Sequence, residues 1–98
     1  MILKRKQIKE LVYKCASKKY WDSDEFYSYV KSKSNDGEDL QIYNEIGFDS
    51  LDMVEFLMDL EHTLQSEFKL ECLIDDAIIT YDVTLGNIID YIYSKYNG

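Results

Sequence analysis

The stretch Gly47-Phe48-Asp49-Ser50-Leu51-Asp52-Met53-Val54-Glu55-Phe56-Leu57-Met58-Asp59-Leu60-Glu61 decides how this chain is read. It predicts the start of the strongest helix, Asp49–Gln65: a turn with a capping residue precedes it, and Asp52 and Glu55 suit the positive pole of a helix start. At about 100° per residue, Met53, Phe56, Leu57, Leu60 and Leu64 gather in one stripe, a normal core face. Leu51, Val54 and Met58 form a second apolar face, turned roughly 135° from the first. Glu55 lies within that second face, and Asp52 and Asp59 border it. Only one face can pack inward. The other places apolar groups in water, ringed by carboxylates and beginning beside Ser50, which is how a docking surface is composed. Periodicity alone also allows a neighbouring helix to cover both faces. The exposed methionine favours docking, because a flexible, polarisable side chain adapts to several partners.

Outward from this helix the pattern stays helical. Ile8, Leu11, Val12 and Cys15 follow an i, i+3, i+4, i+7 rhythm, so Lys4–Lys19 reads as an amphipathic helix with lysines outward. Cys15 falls on its buried stripe as a small hydrophobe. Asp22–Lys33 reads as a short second helix capped by Asp22 or Ser23, although its aromatic residues also suit a strand. Ser32–Asp39 is a polar loop. Tested as a calcium loop with Gly37 at the sixth position, it puts Tyr43 at the twelfth, where a bidentate glutamate belongs, and fails. Glu67–Ile79 reads as a loop and then a short helix near Cys72–Ile79. Thr84 can cap a last helix whose core stripe is Leu85, Ile88, Ile89, Ile92 and Tyr96. The expected fold class is all-α: a bundle of three long helices plus one or two short ones.

Length and composition fit that picture. Ninety-eight residues, 46% of them hydrophobic, make one domain over residues 1–98 with an ordinary packed core. Proline is absent, so nothing interrupts the helices. Two cysteines, Cys15 and Cys72, make neither a disulfide framework nor a metal site, and no apolar run approaches the roughly 18 residues of a membrane span. The expectation is a cytoplasmic protein without membrane insertion. Net charge is −8, but residues 1–33 hold nine bases against four acids, while residues 34–98 hold two bases against fifteen acids. So acidic a surface repels nucleic acid and steers toward basic partners. The basic first helix reads as a solvated face, since the aromatic groups that stack on bases lie outside its cluster.

Ser50 has no base to activate it. His62, the only histidine, lies more than three turns down the same helix, so a Ser-His-Asp triad is dropped and no catalytic residue is assigned. A serine beside an aspartate at a helix start is most often a cap. The position also offers a hydroxyl at the positive pole of a helix, where a phosphate ester is welcome.

Gly47-Phe48-Asp49-Ser50-Leu51-Asp52, Val54-Glu55-Phe56-Leu57-Met58 and Leu60-Glu61 together resemble the acyl carrier protein family, and Thr84-Leu85-Gly86-Asn87-Ile88-Ile89-Asp90-Tyr91-Ile92 resembles its last helix. The resemblance covers residues 40–93 well and the first helix by pattern. It implies a non-enzymatic, monomeric carrier whose Ser50 bears 4′-phosphopantetheine, derived from coenzyme A, through a phosphodiester. Acyl groups would ride on it as thioesters in fatty acid, polyketide or related specialised biosynthesis. The implied partners are a phosphopantetheinyl transferase and acyl-activating, acyl-transferring and chain-elongating enzymes with basic patches. Asp49, Leu51, Asp52, Val54, Glu55 and Met58 would face them; Phe56, Leu57, Leu60 and Leu64 would line the core side. Departures from the family pattern are the long, tyrosine-rich residues 20–39, the extended stretch Phe68–Thr84 and the basic first helix, which point to a specialised carrier. Alternatives are an aminoacyl or peptidyl carrier, against which the aspartate before Ser50 counts, and an acidic helical adaptor with Ser50 only a cap.

Overall fold

The computed structural model describes residues 4–18, 23–71 and 74–97. Four α-helices carry the architecture: α1 (Arg5–Ser17), α2 (Ser23–Lys31), α3 (Ser50–Phe68) and α4 (Leu85–Asn97). No strand appears among the described residues beyond a single antiparallel bridge, Gln41 to Thr84. The chain is thus an all-α bundle with three longer helices and one short one. The aromatics of α2 pack helically, with Phe26 and Val30 buried on one side. Lys19, Asp22, Cys72 and the side chain of Tyr96, each given a place by the sequence pattern, lie outside what is described.

The core forms where the apolar stripes meet. α1 packs against α4, α3 and α2, burying Ile8, Leu11, Val12 and Cys15 as their spacing predicts. Phe56, Leu60 and Leu64 of α3 and Leu85, Ile88, Ile89 and Ile92 of α4 are fully buried. Each such side chain contributes about 1.5–3 kcal/mol. Thr84 caps α4: its Oγ1 accepts from the Asn87 amide at 3.1 Å, and its own amide donates to Asn87 Oδ1 at 2.9 Å.

One connection departs from the sequence expectation. The short helix anticipated near Cys72–Ile79 is only a 3-10 turn, Asp76–Ile78. Side chains capture the backbone amides there: Ile74 N–H donates to Glu61 Oε2 at 2.8 Å, and Asp75 N–H to the Tyr91 hydroxyl at 3.1 Å. The polar loop expected after α2 is wound left-handed, with φ of 56° at Asn35, 58° at Asp36 and 87° at Gly37. Asn and Asp tolerate this conformation, and only glycine fits the third place. A Cβ on Gly37 would lie 2.5 Å from the Val30 carbonyl oxygen.

Candidate functional site

Ser50 is reached through a turn built to present it. Residues Ile42–Ile46 form one π-helical turn, whose bonds from Ile46 N–H to Gln41 O and from Gly47 N–H to Ile42 O are each 3.0 Å long. Gly47 then turns the chain with a φ of 94°, open only to glycine at low cost. Phe48 drops into the core and meets Phe56 edge-on, ring centroids 5.7 Å apart. Asp49 follows as the true N-cap of α3. Its Oδ1 accepts from the Asp52 amide at 2.8 Å, and Asp52 Oδ2 accepts from the Asp49 amide at 3.1 Å. This reciprocal arrangement is a capping box made by two aspartates.

Ser50 is therefore the first residue inside the helix, and the reading of it as the cap is corrected. Its exposed hydroxyl stands at the positive pole of a 19-residue helix, and capping is done by its neighbour. His62 is exposed and twelve residues farther on, about 18 Å along the axis, too far to take a proton from Ser50.

The two faces of α3 separate as their spacing requires. Met53, Phe56, Leu60 and Leu64 are buried, whereas Leu51 is 65% exposed, Val54 52% and Met58 61%. Leu57, expected on the core side, sits at its edge and is only half-buried. Glu55 is exposed within the outer strip, and Asp52 and Asp59 flank it partly buried. Among the described residues no helix covers the strip.

Sequence reasoning missed the ion cluster that holds the approach to Ser50. Glu38, one-tenth exposed in its side chain, receives Arg5 in a bidentate pair and Lys9 Nζ at 3.0 Å. Arg5 also reaches Asp90 of α4 at 2.9 Å, and Lys9 reaches Asp36 at 2.7 Å. The Arg5 guanidinium holds the Glu38 carboxyl down at about 2, and Glu38 in turn raises the pKa of Arg5. The Tyr13 hydroxyl donates to the Asp36 carbonyl at 2.7 Å, and burial pushes that phenol up to about 12. From there the chain is stitched to α4 by Gly86 N–H to Glu38 O (2.9 Å), Leu85 N–H to Leu40 O (3.2 Å) and Ile42 N–H to Val83 O (2.9 Å). Two of the bases of α1 thus serve the fold. The available signal was the i, i+4 pair Arg5 and Lys9 on a helix followed by a loop rich in acids.

No helix among the described residues is long and apolar enough to cross a membrane. The chain is 35% identical over 81 residues to the acyl carrier protein of Thermotoga maritima, a match spanning 74% of this chain and 93% of that relative. No protein-family model matches the chain, and no solved structure does.

Proposed function

This chain belongs to the acyl carrier protein family, a carrier role in acyl biosynthesis follows, and from that premise we propose that Ser50 is the attachment point of 4′-phosphopantetheine. One observation carries the assignment: an exposed serine hydroxyl, relieved of capping by Asp49, at the N-terminus of the longest helix. The residues fit the group. The first amides of a helix and its dipole favour a phosphodiester on the first residue. When attached, the group supplies a thiol that holds acyl chains as thioesters.

This chain's own part is to present, steer and dock. A separate transferase would bring coenzyme A and the base that removes the Ser50 proton, since His62 lies about 18 Å along the helix. Leu51, Val54 and Met58 are the apolar anchors of the docking surface. Asp49, Asp52 and Glu55 supply the negative field that draws a basic partner and speeds association. The protein acts as a substrate tether and not as an enzyme, raising the local concentration of cargo at each partner. The departures in residues 20–39 and 68–84 favour a specialised acyl pathway.

Intact mass after incubation with coenzyme A and a broad-specificity transferase tests this directly. The wild-type chain should gain one phosphopantetheinyl group and Ser50→Ala none. An unmodified wild type would leave an acidic helical adaptor as the better description.

A further inference from the structure

Tyr81 is the most exposed large aromatic or aliphatic side chain among the described residues, at 77%. A lone exposed tyrosine is ordinary. The way this one is held, and where, is not. Its backbone is fixed from both sides: Asn44 Nδ2 donates to Tyr81 O at 3.2 Å and to Gln41 Oε1 at 2.7 Å. Val83 N–H closes the turn on Thr80 O at 3.1 Å, and Thr80 Oγ1 donates to Asp82 Oδ1 at 2.7 Å. The ring stands in solvent on a rigid base.

The segment that carries it is held at one end to α3 and at the other to the approach to Ser50. It starts at Glu61, which binds Ile74 N–H, and ends at Ile42, which binds Val83 O just before the turn into Ser50. It therefore runs back along α3 from its third turn toward Ser50, a span of about 16 Å. Measured from Ser50, Glu61 points at roughly 20°, Val54 at roughly 40° and Met58 at roughly 80° around the helix. The bond to Glu61 thus ties the segment to the side of α3 next to Val54, and Ile78 and Ile79, within the segment, are half-buried against the core. A protein partner of ordinary size covers about 800 Å² on each side, enough to take the strip and Tyr81 together.

Charge identifies the occupant. Asp75, Asp82 and Glu45 are exposed around this turn, and between Lys69 and Lys95 the sequence has no base. A cationic side chain is the natural partner for a ring in such a field, lying over its face. Tyrosine is also among the residues that most often dominate binding, since a pre-positioned ring loses little freedom.

The geometry points to Tyr81 as a second anchor of the docking surface, received by a basic cleft on the transferase that modifies Ser50. This rests on the carrier reading above. The test is steady-state transfer from coenzyme A to wild type, Tyr81→Ala, Tyr81→Phe and, as a control on α2, Tyr29→Ala. Tyr81→Ala should raise KM for the carrier roughly fivefold to tenfold at unchanged kcat, as truncating an interfacial tyrosine does. Its melting temperature should not move, because the bond from Asn44 goes to the backbone. Tyr81→Phe should recover most of the loss, and Tyr29→Ala should behave as wild type. A Tyr81→Ala KM within twofold of wild type, or a loss tracking a fall in melting temperature, overturns the anchor. A wild type that takes up no group overturns the carrier reading and the anchor with it; a modified wild type with an indifferent Tyr81→Ala overturns the anchor alone.

Discussion

At Ser50 the hydroxyl carries no capping duty, because Asp49 and Asp52 already close the start of α3 on each other. The two neighbours should therefore part under mutation. Ser50→Ala is expected to abolish the mass gain while leaving helicity and melting temperature near wild type. Asp49→Ala should cost about 1 kcal/mol, the usual loss of a cap, visible as a lower midpoint in urea. The sequence could narrow the cap to this pair of residues and no further. Aspartate and serine are about equal as caps, and the choice between them was made by Phe48, whose burial against Phe56 fixes where the helix begins.

At the level of the elements, α3 shows two faces with unequal duties. Leu60→Ala should cost 2–5 kcal/mol, whereas Met58→Ala, on the exposed strip, should stay within about 0.5 kcal/mol. A thermal melt separates the two. In transferase assays Glu55→Lys should slow association at low salt and recover at high salt; Met58→Ala should weaken docking at both, since salt screens charge alone. The contact between α1 and the loop before α3 has its own pH signature. Glu38 is held at about 2 by Arg5, below its ordinary 4.5, so it stabilises the fold fully above 4.5 and loses that contribution as pH falls toward 2. Glu38→Gln should be less stable than wild type by about 2 kcal/mol at neutral pH, and the gap should close across that acid window. The helices and their faces were legible because each repeats its apolar residues at helical spacing. The Glu38 cluster and the left-handed turn at Asn35-Asp36-Gly37 were not, since both depend on partners distant in sequence: Arg5 and Lys9 for the first, the Tyr13 hydroxyl for the second.

Across the whole molecule, charge is divided by segment and the bases of α1 offset only part of the acidic excess. Arg5 and Lys9 pair with Glu38, Asp36 and Asp90, and the chain keeps a net charge of −8. Self-repulsion is greatest in the compact state, so the melting temperature should rise as salt shortens the Debye length from ~30 Å at 0.01 M to ~8 Å at 0.15 M. A flat melting curve against salt would show that the ion pairs of α1 already cancel the field. The outer strip of α3 has a consequence over generations as well. Leu51, Val54 and Met58 are each more than half exposed and lie outside the buried core, so a lineage can replace them one at a time without approaching the threshold at which the fold fails. With the strip as the proposed docking surface, inheritance can rewrite which enzymes this carrier visits while leaving the fold that presents Ser50 unchanged.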